Sequence, residues 1–203
     1  MSIKSIMFAA ALALASFTTA ANATSTGFNG IYDYATWASY NSNGLYEHIT
    51  NIDAAQQTLT LAEPDNCDGE KTTCTLGAVA TSNMFSHAIA SDGLLSFNWN
   101  FNWDIDACCS GLNLYVNSTM YSLRGGNATD PYAPSSSGSG TFSMAVSAGD
   151  IIAFDAYSAD SCCRASTSTI TDFSAPSDVP EPASIALVAL GLVGIGFGKS
   201  RKV

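Results

Sequence analysis

Positive charge is what this chain has least of. Only seven of its 203 residues are Lys or Arg, against seventeen Asp or Glu, and the net charge is −10. Four of the bases (Lys4, Lys199, Arg201, Lys202) lie near the termini. From Thr24 to Asp178 only Lys71, Arg124 and Arg164 face sixteen acids, a net of −13. Such a field repels nucleic acid and anionic lipid headgroups, keeps a domain soluble outside the cell and attracts divalent cations.

Catalytic motifs are also missing. There is no G-x-S-x-G, H-E-x-x-H, P-loop, or G-x-G-x-x-G after a strand. The two histidines, His48 and His87, stand in no recognisable motif. Gly138-Ser139-Gly140 belongs to a low-complexity loop and lacks elbow spacing. A scattered triad needs no local motif, so a secreted hydrolase stays as the last alternative. Between residues 24 and 178 no window keeps an apolar period of 3.6, which argues against helices there.

Apolar runs are confined to the two ends. Lys4 precedes an Ala- and Leu-rich stretch, Ile6 to Phe17, and Ala21-Asn22-Ala23 supplies the small-x-small pattern that signal peptidase cleaves. Residues 1–23 therefore read as a signal peptide. At the other end Val179-Pro180-Glu181-Pro182-Ala183-Ser184 leads into an apolar segment and closes on Lys199, Arg201 and Lys202. A helix over 183–198 is roughly 24 Å long at about 1.5 Å per residue, shorter than the roughly 30 Å of a bilayer core. The basic end (199–203) holds the cytoplasmic side and leaves the preceding domain outside. The prolines keep that helix from running back into the domain and hold an extended, accessible strip above the membrane.

What remains, residues 24–176, reads as strands. Thr58 to Ala62 alternates apolar and hydroxyl side chains. Leu95 to Trp103 does so more strongly, with Leu, Phe, Trp, Phe and Trp on one face and Ser or Asn on the other. That aromatic row is read as core rather than as a sugar-stacking platform. Further strands are expected at Leu112–Val116 and Met120–Leu123 around Asn117-Ser118, then at Thr141–Val146, Ile151–Tyr157 and Thr167–Phe173. Asn29-Gly30, Asp92-Gly93 and Ala148-Gly149-Asp150 mark turns. Regular short strands with turn punctuation predict an all-β ectodomain, a β-sandwich or jelly roll. Asn117-Ser118-Thr119 and Asn127-Ala128-Thr129 fit the N-glycosylation pattern and are read as turns.

Six cysteines follow an export signal, which predicts disulfides. Cys67 and Cys74 flank one short loop, so their bridge is the simplest local pairing; a zinc site would need a second pair at matching spacing. The segment Asp92–Phe97 leading to Cys108-Cys109 echoes Gly149–Phe154 leading to Cys162-Cys163. The echo predicts two strands leaving the sheet at one end, with 108/109 paired to 162/163. No cofactor is expected. Asp104, Asp106 and Asp160 at strand ends are the one weak set of Ca²⁺ ligands, because Ca²⁺ takes six to eight oxygens in loose geometry. They lack an ordered D-x-D-x-D-G ladder.

The tail from Val179 onward resembles a PEP-CTERM sorting signal, with motif, helix and basic end in order over 177–203. That resemblance implies a Gram-negative, exopolysaccharide-producing host and recognition by an exosortase, a membrane-embedded, cysteine transpeptidase-like enzyme. It also implies transient residence in the inner membrane, then delivery to the cell surface or matrix. Phe28, Gly30, Tyr32, Trp37, the segment Asp92–Trp99 and the segment Thr169–Ser174 resemble sandwich domains found before such tails. The likeness implies a non-catalytic extracellular domain; the paired cysteines depart from that pattern. The expected function is a non-catalytic surface or matrix protein associated with exopolysaccharide or biofilm. A carbohydrate-binding module, possible with calcium assistance, is the first alternative.

Overall fold

A computed structural model describes residues 23–41, 50–53, 57–63, 80–103, 109–125, 136–159 and 166–178. The compact unit that holds the sandwich is Thr24–Ser177. The described residues form eleven strands and two short 3-10 turns. In chain order the strands are β1 (Ala23–Thr26), β2 (Ala38–Asn41), β3 (Thr50–Asp53), β4 (Thr58–Ala62), β5 (Thr81–Ala88) and β6 (Gly93–Asn102), then β7 (Ser110–Val116), β8 (Thr119–Gly125), β9 (Gly138–Val146), β10 (Ile151–Ser158) and β11 (Thr167–Ser177). Among them no helix is long and apolar enough to cross a membrane. The expected signal peptide, apart from its last residue Ala23 at the start of β1, and the expected tail helix lie outside the described residues.

The strands build two sheets. Sheet A runs β3-β4-β11-β6-β9, with β1 added to β11, and sheet B runs β2-β5-β10-β7-β8. Neighbours along both paths are antiparallel. Alternation explains sheet A directly. Leu95, Phe97 and Phe101 of β6 are buried, Trp99 and Trp103 pack against the core partly buried, and the intervening Asn100 and Asn102 are exposed. Gly140 pairs with Trp99, and a Cβ there would come within 2.9 Å of the indole, so glycine gives the ring its seat.

Between the sheets the core is aromatic. Trp37 stacks on Phe85 at 4.7 Å, Phe28 stacks on Phe173 at 4.8 Å, and Phe97 of sheet A meets Phe154 of sheet B edge to face at 5.0 Å. Each such pair adds about 0.5–1.5 kcal/mol beyond area burial. Tyr32 is fully buried; its hydroxyl donates to the Pro176 carbonyl at 2.5 Å and accepts from Ala90 N–H at 3.1 Å. One side chain thus ties the N-terminal turns to the end of β11 and to the β5–β6 connection.

A polar pin also crosses the sandwich. Glu63, just past β4, is buried; its Oε2 accepts from Ser110 Oγ of β7 at 2.6 Å and from Ser166 N–H at 3.2 Å. Asn83 of β5 donates to the Ala62 carbonyl across the same gap at 2.9 Å. These bonds offset part of the cost of burying the polar groups.

The echo between the β6 and β10 regions needs one correction. These strands do not share a sheet: β6 is in sheet A and β10 in sheet B. What adjoins the end of β10 is the start of β7, through the pair Ser158↔Ser110 and a hydrogen bond from Ala159 N–H to the Cys109 carbonyl at 3.1 Å. Cys109 is disulfide-bonded. Cys67, Cys74, Cys108, Cys162 and Cys163 lie outside the described residues.

Candidate functional site

Sheet B is unusual on the side turned away from the core. Strand periodicity places Ile152, Phe154 and Ala156 of β10 in the core, so Ile151, Ala153, Asp155 and Tyr157 point outward. Yet Ala153, Asp155 and Tyr157 are buried as well. Cross-strand register extends this outer face. One row reads Ala38, Ser86, Ala153, Tyr115, Met120, and the next reads Tyr40, Met84, Asp155, Asn113, Ser122. Small side chains fill most of the first row. Beside it lies a depression of about 270 Å³ lined by Thr36, Ala38, Ser86, His87, Ala88 and Ile151. Tyr40, on edge strand β2, is 60% exposed.

At the centre of the second row sit two buried polar groups. Asp155 is 1% exposed and Asn113 is 0% exposed. Asn113 Nδ2 donates to Asp155 Oδ2 at 3.3 Å, while Oδ1 of each residue has no hydrogen-bond partner. Burial pushes the Asp155 carboxyl up to about 6, against the lowering pull of hydrogen bonds from Asn113 and Ser82. The Tyr115 hydroxyl is also raised, by burial first and then by the neighbouring Asp155 and Tyr157. Three titratable groups therefore share one face of one sheet. They provide hydrogen-bond acceptors beside aromatic rings, without a basic side chain among them.

His87 borders the depression. Its Nδ1 lies 2.6 Å from the Ala88 carbonyl, which can only accept, so Nδ1 carries the proton. Nε2 pairs with Thr36 Oγ1 at 3.0 Å. Both ring nitrogens are thus engaged. Asn117 is a turn residue at φ +54°, and its amide is committed too: Nδ2 donates to Asp150 Oδ1 and Oδ1 accepts from Ile151 N–H, each at 2.9 Å. The Ser147 N–H first, and then the Asn117 amide, hold the Asp150 carboxyl below its usual range.

Other residues singled out in the sequence fall outside the described residues. These are the calcium candidates Asp104, Asp106 and Asp160, the motif Val179–Ser184, the basic end Lys199, Arg201 and Lys202, and also His48 and Asn127. Among the described residues no group of three or more His, Cys, Asp or Glu is placed to hold a metal ion. Sequence reasoning passed over Asp155, Asn113, Tyr40 and Tyr115. The available signal was a lone charge inside Ile151-Ile152-Ala153-Phe154-Asp155-Ala156-Tyr157, a strand otherwise free of polar groups.

Two packed antiparallel sheets with a largely aromatic core define the described part as an all-β, sandwich-like domain. Residues 178–202 match the PEP-CTERM protein-sorting motif, so the chain carries that motif and is an exported protein sorted to the cell envelope or surface. The motif implies processing by an exosortase. Comparison with curated proteins by sequence returns no match. Among solved structures, the chain is similar to a mutant family 29 carbohydrate-binding module (8% identity, TM-score 0.38, covering 79% of this chain and 99% of that one). It is also similar to a cleaved adhesin domain of Lys-gingipain from Porphyromonas gingivalis (12%, TM-score 0.41, 76% and 99%). A family 35 carbohydrate-binding module from Clostridium thermocellum aligns at 6% identity and TM-score 0.33, over 73% and 97%. Likeness at this level assigns no ligand, which has to be argued from the residues themselves.

Proposed function

We propose that this chain is an exosortase substrate whose mature form is a non-catalytic protein of the cell surface or extracellular matrix, associated with exopolysaccharide. The observation that carries this reading is the sorting motif at 178–202, which begins where the sandwich's last strand stops, at Ser177. The motif lies past the last residue of β11, so a processing enzyme can act there without cutting into that strand. Tyr32 anchors to Pro176, one residue before that end, which secures the last strand up to the junction. A strongly acidic domain stays soluble and monodisperse once released. No cofactor is assigned to it.

The test is intact-mass spectrometry of the protein exported by an exosortase-bearing host. A C-terminus within or near Val179–Ser184 is expected. Recovery of the chain through Val203 would overturn the reading.

A further inference from the structure

We infer that the outer edge of β9 is a self-association site, where a second copy of this chain adds its own β9 antiparallel and closes a two-fold dimer. The inference stands on the sandwich alone and does not depend on how the tail is processed.

β9 ends sheet A, and among the described residues nothing pairs with its side away from β6. A strand in that position presents a row of backbone N–H and C=O groups that a further strand can take up. Proteins usually blunt such edges with short strands, charges, prolines or bulges. The other strands that end the two sheets use these devices. β2 and β3 have four residues each, and β3 ends on Asp53. β8 carries Arg124 and pairs with β7 across a register shift. β9 has none of them. It runs nine residues without a charge or a proline, in unbroken register with β6.

The occupant follows from the sequence of β9 itself. Antiparallel pairing about Phe142, the middle residue, sets Phe142 opposite its own copy. Gly140 then faces Met144 and Gly138 faces Val146, while Thr141 faces Ser143 and Ser139 faces Ala145. Core-side residues meet core-side residues throughout, and outward residues meet outward ones. Large side chains stand opposite glycines, hydroxyl opposite hydroxyl and ring opposite ring, which are pairs that stabilise antiparallel sheets. Phe142 is held ready by a stacked contact with Phe97 and an edge contact with Tyr121, yet it stays only half-buried.

Charge at the two ends of the strand agrees with the antiparallel sense. Among the described residues, Arg124 holds the segment entering β9 through the Ser136 carbonyl at 2.9 Å. Asp150 and Asp92 hold the turn leaving it, through Ser147 N–H and Ala148 N–H, each at 2.8 Å. A two-fold axis brings the end marked by the cation in one copy toward the end marked by the carboxylates in the other, whereas parallel strands would set like on like. The closed pair leaves no second β9 edge, and the acidity of both copies discourages open-ended growth.

Sedimentation of the exported protein tests this, over about 1 μM to 1 mM in roughly 0.15 M salt, since a single strand pair makes a small and weak interface. Wild type should pass from monomer to dimer across that range and go no further. Thr141 and Ser143 are exposed and point away from the core. The double variant Thr141→Lys with Ser143→Lys sets lysines opposite lysines and should raise Kd at least tenfold. Thr141→Glu with Ser143→Glu should do the same. An equimolar mixture of the two should dimerise again, because each lysine then faces a glutamate. Circular dichroism would confirm that both variants are folded. The inference is overturned if wild type stays monomeric at every concentration, which would leave the edge to another occupant, or if it grows past a dimer. It is also overturned if the lysine variant dimerises like wild type, or if the mixture stays monomeric. Each of these results leaves the mass-spectrometric test of tail processing untouched.

Discussion

The two outer faces of the sandwich obey different rules. On sheet A the outward positions are a carpet of small polar groups: Asn98, Asn100 and Asn102 on β6, Ser139, Thr141 and Ser143 on β9, Thr169 on β11. Such side chains hydrate easily and ask for nothing more. One of the few links among them is Asn98 donating to Asp172 Oδ2 at 2.6 Å, at a bulge where Asp172 takes φ +51°. On sheet B the outward positions of the central strand are Ala153, Asp155 and Tyr157, all buried, and the rows around them contain Tyr40, Met84 and Tyr115. A face that needed only to be wet would not bury an acid. The outer face of sheet A is hydrated, while that of sheet B covers its central strand and keeps an acid away from water.

Neighbouring residues of β10 give the sharpest way to break that contrast, since Phe154 points into the core and Asp155 points out. Phe154→Ala removes a fully buried ring that touches Trp37, Phe97 and Phe173. It should cost about 4 kcal/mol, read as a lower urea midpoint at unchanged slope. Asp155→Asn should move stability the other way. The Asp155 carboxyl titrates at about 6 in the folded chain and at 3.8 when unperturbed. The fold therefore favours its protonated form. The group's contribution is most favourable below the unfolded value, declines as pH rises through about 6, and above that leaves a penalty of up to roughly 3 kcal/mol. At pH 7–8 the asparagine variant should unfold at higher urea than wild type, and the gap should close on acidification toward pH 4. Equal midpoints at pH 8 would mean that the acid is not strained there, and the asymmetry between the faces would lose its main support.

The same asymmetry explains what could be read in the sequence. Sheet A is half-wet, so β4 and β6 show period-two patterns legible to within two residues, while β9 (Gly138–Val146) was legible only from Thr141, its Gly- and Ser-rich start reading as loop. The tail was legible for another reason, being a linear motif whose meaning needs no fold. Strand β5 was not anticipated because its buried positions are Thr81, Asn83 and Phe85, two of them polar. Asn83 donates to the Ala62 carbonyl, a partner twenty-one residues away. The sheet-B face was illegible because its parts come from β2, β5, β7 and β10, brought into rows by register alone. Nothing in the one-dimensional pattern says that Asp155 lies beside Asn113. The echo of β6 and β10 was real as sequence but placed the two strands in one sheet, because short local similarity carries no information about which sheet a strand joins.

The smallest expected effect is the one that sharpens the comparison most. Thr141 lies on the outer face of sheet A, exposed, in register with Asn98. Thr141→Ala removes a hydroxyl and a methyl that solvent already surrounds. Loss of β-branching lowers strand preference slightly, and the cost should stay within about 0.5 kcal/mol. Its urea midpoint should shift equally little at pH 5 and pH 8, because the deleted group does not titrate. A stability change above about 1 kcal/mol, or one that differs between the two pH values, would show that the outer face of sheet A also holds a strained group, and the contrast between the faces would fail. A null result matters because Thr141 and Asp155 both point away from the core. The difference between them would then lie in burial and charge, not in which way the side chain points.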